Sequence, residues 1–277
     1  MVKATEGVYE YIERAFAEKG ENGGFEAGSS LFSFGYVRRK TMLKAILYDK
    51  DGTLMRFDAF WIPVAKAAIR SVTDKAAPTP DAEKIADEIG RKIGIVNDTV
   101  DPKGILCGGT YSQFAQTVNG VLKKYGVAAE VDRHDIERAT ADNVKAGVIL
   151  PVCDDLRAKL EKAREKAKLF VVTTDDRQVT EYCLEKLGVS DLFDGIYCDD
   201  GNTPHKPDPF AADDIAKKLN AAKNEMFMIG DTATDKKFAD NARVPFVFVG
   251  RDTEIGEKSA YSADNAGLAT DLILNLL

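Results

Sequence analysis

The chain contains few of the residues from which zinc sites, disulfide frameworks and membrane spans are built. Its 277 residues include only 4 cysteines, 2 histidines and 1 tryptophan. No two cysteines form a CxxC pair, which argues against a zinc site and favours free thiols in a reducing compartment. No run of about 18 apolar residues occurs, so no membrane span is predicted.

The chain also lacks an excess of basic residues. Its 38 Lys and Arg against 45 Asp and Glu give a net charge of −7. A nucleic-acid partner is therefore not expected, because such a partner needs a basic face. A phosphate substrate is not excluded, since a bound metal ion can reverse the local field. Residues 1–6 lack the apolar core of a signal peptide, so a cytoplasmic protein is expected.

Residues 1–41 differ from the rest of the chain and are predicted to form an appendage. Apolar residues at helical spacing predict an amphipathic helix over residues 5–19. Residues 20–30 are rich in Gly, Ser and Glu and are typical of a flexible linker. Two interpretations stay open: a docking or oligomerisation helix, with a homodimer as one outcome, or a natural start at Met42.

From residue 42 onward, apolar runs suited to strands alternate with helical patterns. Strands are predicted over residues 43–48, 169–173, 195–198, 226–229 and 245–249. This alternation predicts an α/β fold, a parallel sheet with helices on both faces. Between residues 57 and 149 only helical patterns occur. The predicted organisation is a core domain of residues 42–56 and 150–277, interrupted by a helical cap domain of residues 57–149.

Polar residues suited to phosphoryl transfer follow the predicted strands of the core. The first strand runs directly into two carboxylates two positions apart, and the segments after later strands add hydroxyl, ammonium and carboxyl groups. The candidates are Asp49, Asp51, Gly52, Thr53, Thr173, Thr174, Lys206, Asp231 and Asp235. The carboxyl ends of strands in open α/β sheets are where ligands bind. One carboxylate of the first pair can attack while the other moves a proton, which points to an enzyme.

Four motifs follow one another along the chain. They are DxDGT, a strand-end Thr, a Lys in HKPDP, and GDxxxD. Over residues 42–277 that order resembles the haloacid dehalogenase-like superfamily. The helical insert after the first motif is similar to members with a C1-type cap, and the phosphoglycolate-phosphatase-like group is the nearest resemblance. The resemblance implies a Rossmann-like core and a phosphatase.

The resemblance also implies a role for each acidic group. Asp49 would be the nucleophile that forms an aspartyl-phosphate. Repulsion between this carboxylate and a phosphate dianion calls for a cation, and hard oxygen ligands select Mg²⁺. The metal ligands would come from Asp49, the Asp51 backbone carbonyl and Asp231, and Asp235 would orient a metal-bound water or support Lys206. Asp51 would protonate the leaving alcohol and then activate water.

The phosphoryl oxygens need donors of hydrogen bonds and positive charge. The resemblance implies that these are Thr173 or its neighbour Thr174, together with Gly52, Thr53 and Lys206. The substrate would be a small phosphorylated metabolite, a phosphoglycolate-like monoester. A phosphomutase acting on a sugar phosphate and a non-enzymatic phospho-accepting signalling domain stay open as alternatives. Asp51 favours phosphate esters over haloacids, because halide displacement needs no general acid.

Overall fold

The computed structural model describes residues 42–199, 203–250 and 252–276. The predicted helix over residues 5–19 and the linker over residues 20–30 lie outside these ranges and stay predictions. None of the helices within the described ranges is both long enough and apolar enough to cross a membrane.

Strands and helices are numbered here in chain order. The strands are β1 (Ala45–Tyr48), β2 (Ile95–Val96), β3 (Thr99–Val100), β4 (Lys168–Asp176), β5 (Gly195–Asp199), β6 (Met226–Gly230), β7 (Phe246–Val249) and β8 (Tyr261–Ala263). The helices are α1 (Phe57–Ala76), α2 (Ala82–Lys92), α3 (Ile105–Gly108), α4 (Tyr111–Lys124), α5 (Arg133–Asp142), α6 (Leu156–Arg164), α7 (Arg177–Lys186), α8 (Phe210–Leu219), α9 (Ala233–Ala242), α10 (Thr253–Glu257) and α11 (Ala266–Asn275).

The described residues form two compact units. The sheet unit contains the described residues up to Thr53, then Asp155–Thr174, then the described residues from Leu192 onward. The helical unit contains Leu54–Asp154 and Asp175–Asp191. Each unit has a hydrophobic core of its own.

The sheet unit is built on six strands in the order β5-β4-β1-β6-β7-β8. Strand β1 lies between β4 and β6 and is parallel to both, with Tyr48 opposite Val171 and Ile229. All four residues of β1 are fully buried, as expected for a parallel strand covered on both faces, which is why its sequence is a continuous apolar run. The predicted α/β fold with a parallel sheet is confirmed.

Helices cover both faces of this sheet. On one face, α8 and α9 pack against alternate strand residues such as Leu47 and Met228. Tyr48 points to the opposite face, because side chains alternate along a strand, and its hydroxyl lies 2.9 Å from Thr270 Oγ1 in α11. Strand β1 therefore has a neighbouring strand on each side and helices over both faces, which fixes the position of the residues that follow it.

The helical unit buries apolar residues of α1, α2, α4 and α5 in one core, with Ile69, Ile89 and Leu122 among them. The expectation of helices alone in this region is wrong, because β2 and β3 form a short antiparallel hairpin. The turn consists of Asn97 and Asp98, whose φ angles of 50° and 57° are positive. Positive φ at both central residues is what a tight two-residue hairpin requires.

Residues 175–191 belong by their packing to the helical unit, although the sequence predicted them in the core domain. Cys183 in α7 is fully buried in a cluster with Met55, Phe60 and Val64. These contacts are long-range and carry no local signature. The sequence pattern also predicted no helix or strand after residue 249. In the structure, α10, β8 and α11 follow there.

Candidate active site

Most of the predicted site residues lie where β1, β4 and β6 end. In the parallel register, Tyr48 is level with Val171 and Ile229, so the residues that follow these strands meet at one edge of the sheet. The Asp49 amide donates to the Ile229 carbonyl oxygen at 2.9 Å. Asp49 is 6% exposed, and its position is set by the backbone of two strands.

Lys206 connects two of the carboxylates. Its Nζ donates to Asp49 Oδ1 and to Asp235 Oδ1, each at 2.6 Å, and all three side chains are buried. Burial alone would favour the neutral amine, but the negative charges of Asp235 and Asp49 raise the pKa of Lys206 above its ordinary value. Lys206 is therefore a permanent ammonium ion within bonding distance of the Asp49 carboxylate.

Asp231 is held against the loop that follows β1. Thr53, which is fully buried, donates its hydroxyl to Asp231 Oδ1 at 3.1 Å. Gly52 adopts a φ of +84°, and a side-chain Cβ at this position would overlap the Asp231 carboxylate. Glycine is needed there both for the left-handed backbone and for the close approach of the carboxylate.

Asp235 is fixed by a capping box at the start of α9. Its Oδ2 accepts from the Thr232 amide at 3.0 Å and from the Thr232 hydroxyl at 2.6 Å, while its own amide is bonded to Thr232 Oγ1. Since Lys206 occupies Oδ1, both carboxylate oxygens bond to protein donors. Thr232 was not among the predicted site residues, although Thr three residues before Asp at a helix start is a recognisable signal.

Thr173 and Thr174 differ in their surroundings. Thr173 stands two residues beyond Val171 in β4, at the same edge as Asp49, and is 3% exposed. Thr174 is exposed. Of these two neighbouring threonines, Thr173 is therefore the one whose side chain is buried.

Two carboxylates of the site, those of Asp49 and Asp231, have raised pKa values. Burial raises the pKa of Asp49 to about 7. The positive charge of Lys206 lowers this pKa, and the negative charges of Asp235 and Asp51 raise it further. Burial, followed by the charges of Asp49 and Asp235, raises the pKa of Asp231 well above its ordinary value. In the metal-free protein, burial and the charges of neighbouring carboxylates therefore disfavour the ionised forms of Asp49 and Asp231.

The donor set fits a divalent cation. The site gathers four carboxylates and two ammonium groups, namely Asp49, Asp51, Asp231, Asp235, Lys50 and Lys206. When all are ionised, two negative charges are in excess, which equals the charge of one such ion. Oxygen atoms of Asp49, Asp231 and Asp235 lie within 4.8 Å of one another. Mg²⁺ prefers carboxylate oxygens, so Asp49 and Asp231 could hold it, whereas both oxygens of Asp235 already bond to Lys206 and Thr232.

We expect Asp231→Asn to stabilise the metal-free protein and to abolish its stabilisation by Mg²⁺. Between pH values of about 4 and about 7, the folded state holds protons on Asp49 that the unfolded chain has lost. The free energy of unfolding of the metal-free protein therefore falls as the pH rises through this window. The pKa of Asp231 is raised as well, by burial and by the charges of Asp49 and Asp235, so its ionised form also costs the folded state stability, and an uncharged amide at this position should add about 1–2 kcal/mol at neutral pH.

This prediction is checked by urea denaturation in EDTA and in Mg²⁺. The control is Asp240→Asn, which removes an exposed carboxylate of α9 that pairs with Lys236 and should produce neither change. If Mg²⁺ raised the unfolding midpoint of Asp231→Asn as much as that of the wild type, the ion would not bind at this cluster.

Comparisons with known proteins agree with the geometry. Residues 43–243 match the profile of the haloacid dehalogenase-like hydrolases. The chain is similar to PpaX of Clostridium perfringens, a protein provisionally assigned as a pyrophosphatase. The identity is 24% over 201 residues, which is 73% of this chain and 81% of PpaX.

Two solved structures show the same fold. A predicted phosphoglycolate phosphatase from Haemophilus somnus has 17% identity and a TM-score of 0.61, over 84% of this chain and 99% of that one. The magnesium-bound YfnB of Bacillus subtilis, provisionally assigned as a hydrolase, has 15% identity and a TM-score of 0.56, over 83% and 98%. At these identities the likeness is one of fold.

Proposed function

The chain belongs to the haloacid dehalogenase-like hydrolase family, and from this membership we propose that it is a magnesium-dependent phosphatase of small phosphate monoesters. The observation that carries the proposal is the Asp49 carboxylate at the end of β1, bonded to Lys206, with Asp51 two residues further on. A nucleophile, a fixed cation and a second carboxylate for proton transfer are the groups that such a reaction uses.

The first step would transfer the phosphoryl group to Asp49. A carboxylate oxygen of Asp49 attacks phosphorus, and the bond from phosphorus to the ester oxygen breaks as the bond to Asp49 forms. Asp51 gives its proton to the departing oxygen, which leaves as an alcohol. Lys206 stabilises the negative charge on the phosphoryl oxygens, and Thr173 and the amides of the loop after Asp51 donate hydrogen bonds to them.

The second step would release phosphate. Asp51, now a carboxylate, takes a proton from water as the water oxygen attacks phosphorus. The bond from phosphorus to Asp49 breaks, and inorganic phosphate leaves with both side chains restored. A bound Mg²⁺, held by Asp49, Asp231 and the backbone carbonyl of Asp51, would offset the charge that the carboxylate and the phosphate bring together.

Asp235 would act through Lys206. Both of its oxygens already bond to Lys206 and Thr232, which suits a residue that orients the ammonium ion better than a direct ligand of the metal. We propose that the substrate is a small phosphorylated metabolite, and we take a phosphoglycolate-like ester as the first candidate. The name of the Haemophilus somnus protein supports this choice.

We expect the purified protein to release inorganic phosphate from a subset of small phosphate esters in Mg²⁺ and not in EDTA. A panel of about a hundred esters, including phosphoglycolate, sugar phosphates and nucleotides, tests this by phosphate release and product analysis. The same panel run with Asp49→Asn reports any contaminating phosphatase. Conversion of a sugar phosphate into an isomer without phosphate release would indicate a phosphomutase. A stable phosphoprotein without turnover would indicate a signalling domain.

A further inference from the structure

Lys50 stands between the two carboxylates of the first motif and is completely buried. Its side chain is 0% exposed, and its Nζ lies 2.6 Å from Asp51 Oδ2. The Asp51 side chain is 16% exposed. Lys206 contacts the other carboxylate of the motif, Asp49, so each of the two carboxylates has a buried ammonium ion beside it.

Such an arrangement is costly to build. A lysine charge removed from water destabilises the fold unless an ionic partner compensates it, and even a paired buried charge is often no more stable than an apolar residue of similar size. An apolar side chain would suit position 50 on burial alone, since this position is fully buried two residues beyond the apolar strand β1 (Ala45–Tyr48). Stability therefore gives no strong reason for a lysine here, and its contact with Asp51 points to function.

We propose that Lys50 is a positioning residue that holds the Asp51 carboxylate in the orientation needed for proton transfer. This inference rests on the proposed phosphatase activity. A charge-assisted bond of this length fixes one carboxylate oxygen, and with it the plane of the group and the direction of the other oxygen. Asp51 must bring an oxygen within hydrogen-bond reach of the departing ester oxygen, and small errors in such placements reduce rates strongly.

The role of Lys50 can be separated from a purely structural one by varying the leaving group. A phenolate that departs easily needs little help from Asp51, whereas a more basic one needs its proton. The ratio kcat/KM reports the phosphorylation of Asp49 and omits the later attack of water. A loss of positioning therefore makes kcat/KM depend more steeply on leaving-group basicity, while general damage lowers kcat/KM for all esters alike.

The experiment compares wild type and Lys50→Met on a series from p-nitrophenyl phosphate to p-methoxyphenyl phosphate. We expect kcat/KM to fall about 10–100-fold for the most basic leaving group and less than about threefold for p-nitrophenyl phosphate. The control is Lys168→Met at the start of β4, which breaks an exposed ion pair with Asp194 of 2.8 Å and should retain the wild-type slope. If Lys50→Met does not fold, Lys50→Gln, which keeps an N–H donor without the charge, should steepen the slope in the same direction.

A double-mutant cycle with Asp51→Asn tests whether Lys50 acts through Asp51. In the Asp51→Asn background, Lys50→Met should cause no further change of slope. Equal losses on all esters, or a further steepening in the double variant, would overturn the proposal. A wild-type protein that hydrolyses none of the esters in this series or the larger panel would instead overturn the proposed function, so the two failures are distinguishable.

Discussion

Asp49→Asn is expected to abolish phosphate release and to leave the fold intact. An amide cannot form the bond to phosphorus, so the covalent route is lost and kcat should fall about 10⁴–10⁶-fold. The fold should tolerate the change because burial raises the pKa of Asp49 to about 7. An ionised Asp49 costs the metal-free fold stability above that pH, and the neutral amide carries no such charge.

The measurement is phosphate release by Asp49→Asn on the best ester found, together with circular dichroism and urea denaturation. Asp240→Asn is the matched control, since it makes the same chemical change on α9 at an exposed carboxylate paired with Lys236. This control should keep wild-type activity. If a folded Asp49→Asn retained activity within about tenfold of wild type, Asp49 would not be the nucleophile.

Lys206→Met should lose both activity and stability. Without the ammonium ion, the charge developing on the phosphoryl oxygens loses its fixed stabiliser, and kcat should fall about 10²–10³-fold. The buried carboxylates of Asp49 and Asp235, which share Lys206 as a partner, would lose that compensation. Removing one partner of a buried ion pair costs about 3–5 kcal/mol. We therefore expect the free energy of unfolding to fall by about that amount near neutral pH.

The sign of the pH dependence identifies the cause of this loss. Without Lys206, Asp49 takes up a proton more readily in the folded state, and a protonated carboxyl group needs no cation. The deficit in unfolding free energy should therefore be smaller at about pH 5 than at about pH 8. Lys236→Met, which breaks a surface pair on α9, should cost about 0–1 kcal/mol at both values. A Lys206→Met variant as stable as wild type at about pH 8 would contradict the ion-pair network.

The sheet unit could be predicted from the sequence because its signals are local. A continuous apolar run such as Ala45–Tyr48 is typical of a parallel strand buried on both faces. The polar residues that follow the strands then have to meet at one edge, whatever the details of packing. The structure brings Lys206 together with Asp49 and Asp235, and the catalytic roles of these residues stay predictions.

Other features depend on contacts between distant residues and could not be predicted in the same way. The packing of Cys183 with Met55 and Phe60 is invisible in the local pattern around α7. Lys50 is an ordinary charged residue in the sequence, and only the fold shows that it is buried beside Asp51. The hairpin at Asn97 and Asp98 did have a local turn signal, but its strands of two residues are too short for an alternating pattern.

The most direct test of the account is to trap the phosphoryl group on the protein. Asp51→Asn should still be phosphorylated by p-nitrophenyl phosphate, whose leaving group needs little acid, but should hydrolyse the intermediate slowly because Asp51 cannot activate water. After an acid quench, peptide mapping of this variant should find an acyl phosphate, sensitive to hydroxylamine, on Asp49. Hydrolysis of the ester with no phosphate on Asp49, or with the phosphate on another residue, would contradict the account.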